Sequence, residues 1–275
     1  SVVERTTDEV DAAALKLLSA VGPGAFLGLN AVYVETDADA RVVVKDSHLV
    51  ATDELKLEAI AKETSKTYGV ALDGLMPAIS VAAVIGEVSG TAEVSVSGDS
   101  SLKADTAFLE AKNTGFSQIS AIGLTSDTTA TGAAAFTHFD TNATVDLGDG
   151  TVVDATDFTA SADNDSTHYT SAMAMALNKE NAKAGVAIAY SSVETGAVVN
   201  AGGLYQVENA SFIANDFMFE NMTKASTTVG ETLVTKYLVK PAVDGYNKLL
   251  QKNGLRFKGD ISEFPLQLGA AFSMT

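Results

Sequence analysis

The segment VSGTAEVSVSGDSSLKADTAFLEAKNTGFSQISAIG, residues 88–123, decides the fold. Apolar residues alternate with polar ones in it, as at Val94 and Val96, and a two-residue period is that of a β-strand. A Gly98-Asp99 turn interrupts the alternation, and a second strand follows around Ala104. A polar stretch then leads back into an apolar one. The segment therefore predicts strands joined by tight turns.

The same succession occurs four times, in units that we place at residues 24–77, 78–132, 133–185 and 186–230. Each unit opens with a small-apolar run, such as AISVAAVIGEVS at 78–89, and each has a strand centred on an alanine. These alanines are Ala40, Ala92, Ala143 and Ala197. A second set follows at Ala51, Ala104, Ala155 and Ala210. A fixed order of landmarks at a spacing near 52 residues indicates a repeat architecture.

A right-handed parallel β-helix is the fold that this repeat predicts. Parallel strands stacked about 4.8 Å apart would place equivalent side chains in columns, Ala on Ala and Val on Val. The dominance of Ala and Val, with 7% aromatic residues and no Trp, fits a narrow interior. Because one coil usually takes fewer residues than the repeat, we expect two coils of about 26 residues in each unit, and about ten coils in all.

Two segments also satisfy helix criteria. Residues 52–66 have a Thr-Asp start and Glu-Lys pairs, but the repeat register favours a strand there; for residues 8–21 both alternatives stay open. Residues 231–254 depart from the repeat and predict a short helical excursion, after which 255–275 return to the β-helix. Insertions in solenoids are frequent binding sites. The predicted contact region is accordingly Lys236, Tyr237, Lys240, Tyr246, Lys248 and Lys252.

Charge and composition argue against several classes of function. A formal charge of −17, with arginine only at positions 5, 41 and 256, argues against nucleic acid. There is no cysteine, and no apolar run is long enough for a transmembrane segment. The chain starts without Met and stops within an apolar pattern, so we expect a fragment of a longer protein or a processed product.

The chemistry-bearing residues predict no catalytic site. His48, His138 and His168 fall at different positions of separate units, so all three are expected at the surface. No GxSxG or HExxH motif occurs. An acidic group could supply oxygen ligands to Ca²⁺, but its residues do not repeat between units, which favours solvated turn acids. This group comprises Asp146, Asp149, Asp154, Asp157, Asp163 and Asp165. We therefore expect no metal, no cofactor and no enzyme activity.

The units, and residues 88–123 above all, resemble the passenger repeats of large type V secreted filamentous adhesins of the haemagglutinin-like and leukotoxin families. The resemblance covers roughly residues 24–225 and is one of pattern and period. It implies export through an outer-membrane translocator and display at the bacterial cell surface. It also implies a stalk or adhesive role towards a receptor or glycan of a host or neighbouring cell. The alternative is a polysaccharide-processing β-helix enzyme, a lyase or hydrolase, although no Lys or Arg lies between Lys112 and Lys179.

Overall fold

A computed structural model describes residues 2–18, 27–73, 79–125, 130–176, 184–227 and 268–274. All regular structure in these ranges is β-strand. The strands are β1 (Val2–Leu18), β2 (Leu27–Lys45), β3 (His48–Val50), β4 (Glu54–Asp73), β5 (Ile79–Ser97), β6 (Ser101–Thr125), β7 (Ala130–Leu147), β8 (Val152–Ala176), β9 (Ala184–Ala201), β10 (Leu204–Thr227) and β11 (Leu268–Met274).

The strands form two sheets that stack on each other, and every pairing is parallel. Sheet A has the order β1-β4-β6-β8-β10, with the short β3 beside β6, and sheet B has the order β11-β9-β7-β5-β2. Apart from β3 and β4, which follow each other in sheet A, successive strands of the chain therefore alternate between the sheets, and each strand pairs with its equivalent in the next repeat. The predicted all-β class with parallel strands is confirmed.

The pairing register corrects the predicted coil size. Leu27 pairs with Ile79, Ile79 with Ala130, and Ala130 with Ala184, so partners lie one whole repeat apart. The chain thus returns to each sheet once per unit, and each sheet has five levels along its main path. In the described strands, the prediction of two 26-residue coils per unit is therefore wrong, and the predicted total of about ten coils is not confirmed. The prediction assumed a coil of ordinary length, whereas β6 and β8 are continuous strands of 25 residues each.

Both segments with a competing helical interpretation are strands. Residues 54–73 form β4, which lies between β1 and β6. Residues 8–18 belong to β1, whose partner is β4. Parallel pairing on the repeat register thus overrides local helix propensity in both segments. The predicted excursion at 231–254 lies outside the described residues, and β11 pairs with Val186–Ser192 of β9.

One corner of each level needs a left-handed backbone. In the turns that lead from a strand of sheet B to the next strand of sheet A, φ is positive at Asp46, Gly98, Gly150 and Gly203. Glycine adopts this region without the Cβ penalty, and Asp is one of the few other residues that tolerates it. The corners also bond to one another, since Gly202 N donates to Leu147 O at 2.8 Å. The Gly-Asp turn found in the sequence is therefore this corner.

The described interior between the sheets has three apolar clusters, and the alanine column of sheet B runs through the largest one. Ala40 pairs with Ala92, Ala92 with Ala143, and Ala143 with Ala197, which confirms the predicted stacking of this alanine set. The second alanine set aligns less well: Ala104 pairs with Ala155, but Ala155 pairs with Val207 instead of Ala210.

A polar seam lies between the two larger apolar clusters, beside the small cluster of Val88, Phe139 and Val193. It consists of buried polar side chains near the middle of the sheet A strands and their neighbours in sheet B. The Asn113 amide donates to Gly90 O at 2.8 Å, and the Asn164 amide donates to Thr141 O at 3.1 Å, so the two stacked asparagines tie sheet A to sheet B. The main members are Thr36, Glu63, Ser65, Thr67, Asn113, Ser117, Thr137, Thr141, Asn164, Ser166, His168 and Thr170.

Candidate functional site

The outer face of sheet B exposes a column of large apolar side chains. Tyr33 pairs with Ile85, Ile85 with Phe136, and Phe136 with Tyr190, so these four residues follow one another across four strands. Tyr33 is 56% exposed, Ile85 44% and Phe136 38%. We call Tyr33, Ile85, Phe136 and Tyr190 the apolar strip.

A shallow floor of alanines lies beside the apolar strip. Ala31, Ala83 and Ala134 stack in register two residues before it in each strand, and Ile188 continues their row on β9. The small side chains leave room next to the taller ring of Tyr33 and the ring of Phe136. Contiguous exposed apolar surface of this kind often marks an interaction site.

Carboxylates border the strip on its other side. Glu35 pairs with Glu87 directly beside Tyr33 and Ile85, and the Tyr33 hydroxyl donates to Glu87 Oε2 at 2.8 Å. That hydrogen bond, with the negative charges nearby, raises the pKa of Tyr33 to about 12, so the phenol stays neutral. We call the acids in the two columns next to the strip the carboxylate border: Glu35, Asp37, Glu87, Asp140 and Glu194.

The sheet B face is strongly acidic. Within β2, β5, β7 and β9 the only cationic side chains are Arg41 and Lys45, both towards the far end of β2 from the strip. Arg41 is engaged by Asp39 at 3.3 Å and by Glu93 at 3.6 Å. The acids of these four strands are Glu35, Asp37, Asp39, Glu87, Glu93, Asp140, Asp146 and Glu194.

A separate groove of about 770 Å³ lies on sheet A, where β6, β8 and β10 pass near residues 103–105, 154–156 and 206–208. Lys103 on β6 forms an ion pair with Asp154 on the adjacent strand β8, at 2.5 Å. Asp105 and Glu208 add carboxylates to the same lining. The groove thus brings one cation and three acids from neighbouring levels together.

Among the residues whose burial the structure describes, the ionisable groups Glu63 and His168 lie in the interior, where no substrate on the surface can reach them. Glu63 is fully buried and neither carboxylate oxygen has a hydrogen-bond partner among the described groups, although the Asn113 amide is close enough to oppose the rise of its pKa. Burial raises the pKa of Glu63 to about 8 and lowers the pKa of His168 to about 4. His168 Nε2 lies 2.8 Å from Thr170 Oγ1.

The histidine prediction is therefore wrong for one residue of three. His48 and His138 are exposed, but His168 is fully buried in the polar seam and packs on Phe139 with ring centroids 5.5 Å apart. The sequence around it, DNDSTHYTSA, is polar at every inward position, and this concealed that the strand lines the interior. The signal that could have revealed the burial of His168 was its equivalence to Ser117, a polar residue at the matching position of the neighbouring repeat.

The structure does not gather the predicted acids into a metal centre. Asp146 lies on sheet B and Asp149 in a corner, whereas Asp154, Asp157 and Asp163 lie along β8 of sheet A with Asp165. Across the described ranges, no three or more His, Cys, Asp or Glu side chains are placed to hold a metal ion.

The predicted contact region, Lys236 to Lys252, lies outside the described residues. The apolar strip was missed in the sequence because the opening runs were interpreted as core alone; their alternate positions, as in VYV and AAAFTHF, are apolar on both faces. In the described part of the chain, no helix has the length and hydrophobicity needed to cross a bilayer. No protein-family model, curated protein or solved structure matches the chain.

Proposed function

We propose that the chain is a right-handed parallel β-helical segment of a secreted or surface-displayed bacterial adhesin, where it acts as a stalk or as a cell-contact surface. The observation that carries the proposal is the uninterrupted parallel pairing of equivalent strands from β1 to β10 and from β2 to β9. In such an arrangement each level contacts only its neighbours, so stability accumulates level by level. Folding can then proceed as the chain emerges from a translocator.

The surface supports a contact role in addition to a structural one. A passive stalk needs only a polar exterior, whereas the apolar strip keeps Tyr33, Ile85 and Phe136 in contact with water. Exposed aromatic side chains are enriched at sites of recognition. Together with the resemblance to filamentous adhesin passengers, the strip favours a segment that touches a cell surface.

Competition for attachment tests this proposal. The purified 275-residue chain is added to bacteria that display it, before they meet the surface they colonise. If the chain is a contact surface, it reduces attachment in a dose-dependent way, and beads coated with it attach by themselves. If neither effect is seen, only the stalk role remains. That role would then need support from detection of the protein on the cell surface or in the culture medium.

The groove on sheet A favours a second candidate, a polysaccharide-processing enzyme. Its Lys103 and its three acids come from adjacent levels, as acid, base and charge-neutralising groups do in sites that cleave sugar polymers. Incubation with a panel of polysaccharides, followed by an assay for new reducing ends, tests it. Activity that disappears in Lys103→Ala would establish the enzyme; no product from any polymer would reject it.

A further inference from the structure

We propose that the apolar strip and its carboxylate border bind a linear polymer of amino sugars whose amines are free and protonated. The inference rests on the proposed function, because it assigns a ligand class to a contact surface of the same segment.

The shape of the surface suits a sugar chain. Adjacent levels of a sheet are about 4.8 Å apart and outward side chains of one strand are about 6.6 Å apart, so strip and floor form a flat lane across the strands. Successive sugar rings can lie along that lane, with their C–H faces over Tyr33 and Phe136. Aromatic rings carry negative charge on their faces and attract such C–H groups.

The charge of the surface selects among polymers. Acidic glycans, nucleic acid and anionic lipid would meet Glu35, Glu87 and Asp37 here, and in these two columns of β2, β5, β7 and β9 the exposed His138 beside Glu87 is the one basic side chain against five acids. A second copy of this chain docking strip to strip would meet the same carboxylates and is disfavoured for the same reason. Protonated amines on the polymer, in contrast, would pair with the carboxylate border.

The regularity of the surface favours a repeating polymer over a basic protein. The strip supplies one large apolar side chain per level at four consecutive levels, and Glu35 and Glu87 repeat the carboxylate beside it. A polymer of identical units can use each level in the same way. A folded protein partner needs a pocket or a knob for interdigitation, whereas the lane between Ala83 and Ile85 is shallow.

The Tyr33 hydroxyl holds the Tyr33 ring in a fixed orientation on this surface. Its bond to Glu87 at 2.8 Å crosses from β2 to β5 and fixes the ring beside the carboxylate pair. An amine that approaches the pair therefore also meets the aromatic face, and a cation over such a face gains further attraction.

Direct binding measurements test the inference with the full chain. Oligomers of β-1,4-linked glucosamine are titrated against it at mildly acidic pH, and the fully N-acetylated oligomer, a neutral glucan, a uronic acid polymer and poly-lysine serve as comparison probes. We expect the glucosamine oligomer to bind most tightly and to lose affinity as salt is added, since exposed charge pairs are screened.

Variants locate the interaction. Tyr33→Ala combined with Phe136→Ala should weaken binding about tenfold, through the loss of two ring contacts. Tyr169→Ala is the matched control, because Tyr169 also donates to a carboxylate from an outer face, at 2.5 Å to Glu220, but on sheet A. It should leave the affinity unchanged.

A second pair of variants tests the charge. Glu35→Gln with Glu87→Gln should weaken binding about threefold or more, whereas Glu54→Gln with Glu220→Gln on sheet A, where Glu220 accepts from Tyr169, should not. Equal affinity for the N-acetylated oligomer would overturn the role of the amines. Poly-lysine binding that the same strip variants abolish would overturn the sugar in favour of a basic protein.

The two proposals fail separately. If the glucosamine oligomer does not bind but the chain still competes for attachment, only the ligand assignment is wrong. If the chain neither competes nor coats beads adhesively, the contact function itself is wrong, whatever it binds in solution.

Discussion

Glu63 offers a quantitative test of the interior. Its carboxyl group lies in the polar seam with no surface exposure, and within the described residues it takes part in no ion pair. Its outer oxygen occupies the position where a Cβ on Gly90 would stand, so a glycine in the facing sheet makes room for it. Burial away from water disfavours the charged form and raises the pKa from 4.5 to about 8.

The sign of the resulting pH dependence follows from linkage. Below pH 4.5 the carboxyl is protonated in both the folded and the unfolded chain, and it adds no slope. Between pH 4.5 and about 8 the unfolded chain releases the proton while the folded chain retains it. The contribution of Glu63 to the free energy of unfolding therefore falls as the pH rises, by about 1.4 kcal/mol per unit and about 5 kcal/mol in total.

The substitution Glu63→Gln removes this titration while it keeps the shape of the side chain. At pH 7 the variant should be more stable than the parent by about 3 kcal/mol, and the two should converge near pH 4.5. Urea unfolding followed by circular dichroism across this pH range gives both quantities. The control Glu208→Gln replaces an exposed carboxyl instead of a buried one and should change the free energy of unfolding at pH 7 by less than about 0.5 kcal/mol. Parallel pH profiles for the parent and Glu63→Gln would refute the reasoning.

Three further predictions use the same unfolding measurement. Gly203 has a φ of 90°, and a Cβ there would lie 2.4 Å from Thr151 O, so Gly203→Ala should lower the free energy of unfolding by about 1–3 kcal/mol. Gly148→Ala in a neighbouring corner should cost little, because the nearest atom to a Cβ on Gly148 would be 3.5 Å away. Asn164→Ala should cost about 1–3 kcal/mol by removing the buried bonds to Thr141 of the facing sheet and the bond to Asp216 of the neighbouring strand. Asn209→Ala, which loses an exposed bond to Asp157, should be near neutral. For His168, whose pKa burial lowers to about 4, the contribution to the free energy of unfolding should fall by about 3 kcal/mol as the pH drops from 6.5 to 4, opposite in sign to that of Glu63. A pH series on Glu63→Gln should therefore show this loss, and the double variant with His168→Gln should lack it.

The strand period and the repeat were visible in the sequence because they depend on local alternation and on spacing. Val94 and Val96 alternate with polar residues, and Ala40 recurs as Ala92 one repeat later. Both features map directly onto the structure, as a strand and as a stacked column. Stacking needs only equivalent positions in successive levels, so the register of sheet B followed from the first alanine set, whereas the second set misplaced Ala210 in sheet A.

The coil size could not be read from the same pattern. Polarity in a sequence normally marks a turn, but Asn113 and Ser117 lie within a continuous strand and point between the sheets. A long strand whose interior is partly polar gives no local signal that separates it from two strands and a loop. The buried positions of Glu63 and His168 were hidden by the same ambiguity.

The candidate surface was equally inaccessible to sequence reasoning. Tyr33, Ile85 and Phe136 belong to different repeats, and only the pairing of three strands makes them neighbours. They belong to apolar runs, and an apolar run in a sequence indicates a core position. The inward residues of the same runs, such as Val84 and Ala135, are indeed buried. Which face of an apolar run remains uncovered depends on what packs outside it, and that is a property of the fold.

Cysteine cross-linking tests the central structural claim, parallel pairing at a distance of one whole repeat, most directly. The chain has no cysteine of its own, so engineered pairs report without interference. Thr91 and Asn142 are partners on β5 and β7, and the spacing between adjacent strands lies within the range that a disulfide bridges. Thr91 and Gln118, about half a repeat apart, lie on different sheets. The account predicts that Thr91→Cys with Asn142→Cys oxidises readily to an intramolecular disulfide while Thr91→Cys with Gln118→Cys does not. Efficient cross-linking of the second pair, and not of the first, would contradict it.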